Sequence, residues 1–176
     1  MATILFVIAG KDFQDYELLE TKRVIEQAHE CVIVSAKKGQ CDGSFGTKIN
    51  ASLSCADALA QIDSFQAVVY IGGGGALALL DVPEALDLAR QAQRKRKILA
   101  AICIAPVILA KAGILEGVKA TVWDDGNGTQ TRLIKKGGAT VLPQHVVVDG
   151  SVITADGPQA ARDFGKAILK ALRAQR

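Results

Sequence analysis

The chain has 176 residues and 18.5 kDa, enough for one domain with a full-sized core, and we take 1–176 as a single domain. Hydrophobic residues make up 49% but aromatics only 5%, so the core must be built from Val, Ile, Leu and Ala, the composition of buried parallel strands. The net charge of +3 is too small to mark a nucleic-acid binder, and no apolar run is long enough to span a bilayer.

Thr3 to Ala9 is a continuous apolar run and reads as a first strand, broken by Gly10-Lys11-Asp12. With no basic residues before it, it does not read as a signal peptide. Asp15 to Ala28 has helical spacing at Leu18, Leu19, Val24, Ile25 and Ala28, with acids in the first turn. Cys31 to Ala36 is a second strand and completes a βαβ opening. Lys37 to Leu53 is polar and glycine-rich and predicts tight turns in a small excursion from the main sheet.

A weak helix over 56–62 precedes the apolar strand Ala67 to Ile71, which ends in Gly72-Gly73-Gly74-Gly75. Glycines in that place let backbone N–H groups be aimed at a bound group. The spacing fits neither dinucleotide nor P-loop patterns, so no nucleotide cofactor is expected. Pro83 to Arg94 is a helix with proline at its start. The cluster Arg94 to Lys97 closes it and complements its dipole; no aromatics interleave to stack bases, which argues against nucleic acid.

Ile98 to Ile102 is apolar and runs straight into Cys103, behind which Ala105-Pro106 opens a helix that Gly113 ends. A strand feeding a helix through one residue projects that side chain from the sheet's carboxyl edge, where ligands bind in open α/β sheets. The start of the helix would stabilise a Cys103 thiolate and lower its pKa. A small hydrophobe ending a core strand is the alternative.

Ala120 to Trp123 reads as a short strand, Asp124 to Gly128 as a polar loop, and Thr129 to Lys136 as a helix closed by Gly137-Gly138. Val146 to Val148 and Val152 to Ala155 form a hairpin at Asp149-Gly150, and Ala160 to Arg173 is a closing amphipathic helix. Cys31, Cys41, Cys55 and Cys103 show no C-x-x-C spacing, so zinc and thioredoxin-type readings lack their signature and no metal is expected. A reducing, cytoplasmic setting follows. His29 and His145 are the only histidines, and both are expected away from the carboxyl edge beside Cys103.

Four segments together carry a resemblance: Lys11 to Glu17, the Gly72 to Gly75 turn, Ala100-Ala101-Ile102-Cys103-Ile104-Ala105-Pro106, and Ile153-Thr154-Ala155-Asp156-Gly157-Pro158. The chain resembles, nearly end to end, the ThiJ/PfpI family, also called the DJ-one superfamily, whose fold is like flavodoxin and the class I glutamine amidotransferases. The resemblance implies an α/β flavodoxin-like three-layer sandwich, with a mainly parallel central sheet and helices on both faces. It implies Cys103 as the nucleophile and a protonated Glu17 donating to its sulfur, with Glu17 raised in pKa because a carboxylate and a thiolate in contact repel. It also implies an oxyanion or substrate site of backbone N–H groups at Gly73 and Ile104, flanked by Gly72 and Gly74, and homodimers.

Hydrolase-like relatives carry a histidine after the cysteine, where this chain has Ile104; others place one where this chain has Trp123, followed by Asp124 and Asp125. Trp123 and Asp124 are therefore candidate pocket residues. Without a base, bond hydrolysis of the peptidase type is poorly served. The chemistry best matched is cofactor-free addition of the thiolate to a small reactive carbonyl, of the glyoxalase or deglycase type. Redox sensing or stress protection, with an oxidant acting on Cys103, is the alternative of another class.

Overall fold

The computed structural model describes residues 1–175. Strand β1 (Thr3–Val7) is apolar on both faces and buried from Ile4 onward. The chain then becomes extended again as β2 (Lys11–Phe13) before α1 (Asp15–Ile25), which Gln14 caps by accepting the Glu17 N–H at 2.9 Å. The helix is a turn shorter than its apolar spacing predicts, since after Ile25 the chain tightens into a turn in which Ala28 N–H donates to the Ile25 carbonyl three residues back.

Strand β3 (Glu30–Ser35) follows, then the antiparallel pair β4 (Gly39–Gly43) and β5 (Lys48–Ala51). With β2 they form a separate three-stranded sheet, the excursion that the glycine-rich composition predicts; what is new is that Lys11 to Phe13 joins it. The hairpin is clamped to α1, since the Asp15 carboxylate accepts Phe45 and Thr47 N–H at 2.9 and 2.7 Å. Burial works against that charge, yet the hydrogen bonds from Thr47 and Phe45 hold Asp15 below the usual carboxylate range.

Then come β6 (Leu53–Ser54), α2 (Cys55–Ala60), β7 (Ala67–Tyr70) and a 3-10 stretch over Gly74–Asp81. Next are α3 (Pro83–Arg94), β8 (Ile98–Ile102) and α4 (Pro106–Lys111). The main sheet runs β6, β3, β1, β7, β8 and then two late strands; every residue of β7 and β8 is buried, as a sheet covered on both faces requires. Helices α1 and α6 (Ala161–Ala174) pack together on one side, while α2, α3 and α4 pack in series on the other. This is the mostly parallel flavodoxin-like α/β architecture expected.

The expected strand over 120–123 shrinks to β9 (Lys119–Ala120), which pairs with β10 (Thr140–Val141) outside the main sheet; α5 (Thr129–Lys136) lies between them. The chain instead crosses the carboxyl edge, with Thr121 N–H on Thr154 Oγ1 and Trp123 N–H on the Cys103 carbonyl, both 2.9 Å. The last strands, β11 (Val146–Asp149) and β12 (Val152–Ala155), form the predicted hairpin, with β12 parallel to β8 and β11 antiparallel at the sheet's edge. No helix among the described residues is long and apolar enough to cross a membrane.

Candidate active site

Cys103 takes φ +64°, left-handed backbone that a residue with a Cβ adopts only when its surroundings hold it there. Two hydrogen bonds do so: its N–H donates to the Ala155 carbonyl at 2.8 Å, and its carbonyl accepts Trp123 N–H. The strand thus ends abruptly, and the side chain stands at the carboxyl edge instead of continuing the pleat. The sulfur-bearing residue is only 7% exposed.

Glu17 reaches this point from the first turn of α1 and is fully buried. One carboxyl oxygen, Oε2, accepts the Gly72 N–H at 3.0 Å. The other, Oε1, is buried with no hydrogen-bond partner, and Cys103 lies beside the carboxyl across Gly72. Gly72 lies between them: a Cβ there would stand 2.6 Å from Cys103 Cβ and 2.8 Å from Glu17 Oε2. Only glycine leaves room for the pair to meet. Gly73 is equally constrained, with φ +99° and backbone atoms of Asp12 and Gln14 2.5 Å from where a Cβ would be.

Burial raises the Glu17 carboxyl to about 7, against the hydrogen bonds from Cys103 and Gly72. Burial, then the charge of Glu17 and its hydrogen bond, push the Cys103 thiol up to about 12, while the N–H groups of Gly73 and Ile104 on the sulfur pull the other way. The lowered thiol expected from the helix start is therefore not what the surroundings give while Glu17 is ionised. Helix α4 has six residues, a small dipole against the cost of burying an anion beside another. When Glu17 is protonated, the charge that raises the thiol is absent and the carboxyl O–H can donate to sulfur.

A cavity of about 180 Å³ opens above the sulfur, lined by Gly73, Gly74, Cys103, Ile104 and Trp123. Of the residues singled out in the sequence, the structure thus brings together Cys103, Glu17, Gly72, Gly73, Gly74, Ile104 and Trp123. Gly72 differs from its expected use, since its N–H is spent on Glu17 and not left for a substrate. Asp124 does not join the cavity. Its carboxylate accepts N–H groups of Gly126, Gly128 and Thr131 at the start of α5, which, with Thr131 foremost, hold it at about 2. Asp125 is likewise turned to Asn127 and Thr129.

His29 sits at the far end of the sheet, accepting Ala2 N–H on Nδ1. His145 is the correction: because β11 runs antiparallel, the residue before it lies at the carboxyl edge, and Asp156 N–H donates to its carbonyl at 3.1 Å. The Asp149-Gly150 hairpin signal in the sequence carries that information. Among the described residues no group of three or more His, Cys, Asp or Glu could hold a metal ion.

The model of the DJ-1/PfpI family matches residues 2–171. An uncharacterized protein of Methanocaldococcus jannaschii is 42% identical over 173 residues, covering 97% of this chain and 82% of its own. Deglycase PfpI of Pyrococcus furiosus is 30% identical over 171 residues, covering 97% of this chain and 99% of its own. The crystal structure of a ThiJ/PfpI domain protein from Brachyspira murdochii superposes with a TM-score of 0.92 at 31% identity, over 98% of this chain and 96% of that one.

Proposed function

The chain belongs to the DJ-1/PfpI family, and from that premise we propose a cysteine-dependent, cofactor-free protein of the deglycase or glyoxalase type, acting on small reactive carbonyls. Cys103 is the nucleophile and Glu17 its proton partner. One observation carries this reading: a fully buried carboxyl and a nearly buried thiol that meet across Gly72, under a cavity that a few carbon atoms fill. The Pyrococcus furiosus relative's name, deglycase, supports the substrate class.

In this reading the thiolate attacks the aldehyde carbon of a 2-oxoaldehyde while Glu17 holds the shared proton. The carbon–sulfur bond forms, and the carbonyl π pair moves to oxygen. The Gly73 and Ile104 N–H groups, freed as the sulfur loses its charge, turn to that oxyanion. Glu17 gives its proton to the oxygen, then as a carboxylate takes one from the aldehyde carbon and returns it to the neighbouring carbon, and the hydroxyl proton on the first carbon passes to the oxygen of the second. The product is a hydroxy-acid thioester, which water hydrolyses, restoring the thiol. Oxidation of one carbon balances reduction of the next, so no redox cofactor is needed. For an amine adduct, the carbon–nitrogen bond breaks first; its electron pair goes to nitrogen, which gains the proton given up by the carbinol hydroxyl.

Purified protein is expected to form lactate from methylglyoxal, and Cys103→Ser and Glu17→Gln to lose that activity. No lactate above buffer from the wild type overturns the reading. The same reading carries a homodimer, checked by sedimentation equilibrium; a species near twice 18.5 kDa supports it and a monomer overturns it.

A second reading, oxidation of Cys103 in stress protection, is favoured by its access. Cys103 lines a cavity, whereas Cys41 and Cys55 are sealed in the core. Mass spectrometry after mild peroxide is expected to find oxygen at Cys103 alone; even modification of all four removes this reading.

A further inference from the structure

Beyond the Cys103 cavity, on the other side of Trp123, lies a second groove of about 330 Å³, lined by Trp123, His145, Asp156, Gly157, Pro158 and Gln159. Trp123 is the wall common to both. Strand register explains why they adjoin. Ile102 pairs with Ala155, and Ala155 with Val146, so Cys103 and Asp156, which follow their strands, and His145, which precedes its antiparallel strand, take three neighbouring positions along one edge. At the usual strand spacing Cys103 and His145 backbones stand about 10 Å apart. That is too far for a three-carbon oxoaldehyde to bridge, and within reach of the same oxoaldehyde carried on a larger amine.

The groove has defined chemistry. His145 Nδ1 and Asp156 Oδ2 are 2.8 Å apart, so the carboxylate is fixed in direction and keeps its second oxygen for another donor. Its side chain is 31% exposed. The Trp123 indole is held against Gly157, where an added Cβ would stand 3.6 Å from Cδ1, and 40% of the residue is open. A carboxylate beside an open indole face suits a planar or compact cation, through a charge-assisted hydrogen bond and a cation–π contact. Asp163, on the far side of His145 and Gln159, adds a second carboxylate, itself paired with Lys166 at 2.8 Å.

We propose that the groove of Trp123, His145 and Asp156 is a subsite for a guanidinium or alkylammonium group, and that it holds a second cationic group, distant from the adducted nitrogen, of an amine whose carbonyl adduct lies at Cys103. This rests on the carbonyl-acting reading above for its second half only. Asp156 and Trp123 select the cation; His145 is a positioning residue that fixes Asp156.

Trp123 is the single tryptophan, so its emission reports the groove directly. The full-length Cys103→Ser protein is titrated with N-acetyl-arginine amide and, separately, with N-acetyl-glutamate amide. A saturable change is expected with the arginine probe and none with the glutamate probe. Asp156→Asn is expected to raise the half-saturation concentration about tenfold, the weight of one charge-assisted contact. His145→Gln shifts it in the same direction by less, with its maximal emission change retained. No saturable change, equal binding of the two probes, or an affinity unmoved by Asp156→Asn overturns the subsite. Since binding is read without turnover, failure of lactate formation with a successful titration sinks the reaction and leaves the subsite, while the reverse pattern removes the subsite alone.

Discussion

The Glu17–Cys103 pair sets the terms of the site, because each residue is where it is at the other's expense. Glu17 is raised by burial to about 7 from an ordinary 4.5, so the folded protein binds a proton there that the unfolded chain has released. The contribution is fully present below 4.5 and is lost as pH rises through 7, an effect of about 3 kcal/mol at roughly 1.4 kcal/mol per unit. Urea unfolding of wild type and Glu17→Gln across that window is expected to show the wild type losing stability relative to the variant; parallel curves would remove the shared proton from the account. The same proton governs the sulfur. Alkylation of Cys103 by iodoacetamide is expected to inflect near 7 in the wild type, where the pair first loses a proton, and to lose that inflection in Glu17→Gln. Gly72→Ala tests the approach of the two side chains: a methyl 2.6 Å from Cys103 Cβ cannot be housed without displacing it. A loss of about 1–3 kcal/mol is expected, together with loss of activity at temperatures where the variant is still folded.

At the scale of elements, the site is a meeting of ends. Strand β8 supplies Cys103 where it breaks, β7 supplies the glycines where it breaks, and α1 supplies Glu17 from its first turn. What fixes these ends is hydrogen bonding from neighbours: Gly72 O accepts Gln14 N–H at 2.9 Å, which ties the start of α1 to the glycine turn. Elements farther from the edge carry stability and little chemistry. Helix α2 is six residues long, too short to persist on propensity, and it depends on a capping box in which Ser54 and Asp57 satisfy each other's N–H groups. Ser54→Ala is expected to cost about 1 kcal/mol in urea unfolding without changing Cys103 alkylation. An equal fall in alkylation rate would mean that α2 is coupled to the site, contrary to its place behind β3 and α3.

At the scale of the molecule, the legible parts are those in which chemistry and local pattern coincide. The apolar runs of β1, β7 and β8 and the closing helix are readable because burial on both faces, or on one stripe, leaves a period in the sequence. Cys103 is readable because a strand, one residue and a proline-led helix are adjacent in the chain, and Glu17 only through the family resemblance, since nothing local distinguishes it from a solvated first-turn acid. The rest depends on which strands become neighbours. Asp124 has the composition of a pocket residue, and only the N–H groups of the α5 turn show that it is already committed. Ala120 to Trp123 has strand composition, yet the strand order leaves it no partner in the main sheet. His145 reaches the edge through the antiparallel return of β11, a consequence of topology and not of spacing. The same long-range pairing carries the last prediction. The buried side chains of the main sheet and of the helices on its two sides form one contiguous apolar cluster, from Ile4 on β1 to Leu172 on α6. With no second core to melt by itself, unfolding is expected to be one cooperative transition. Trp123 emission reports the carboxyl edge, and far-UV circular dichroism reports all the helices; their urea midpoints are expected to coincide. An earlier midpoint for Trp123 would mean that the edge bearing Cys103, Asp156 and His145 opens before the core does, and would remove the single-domain reading of the chain.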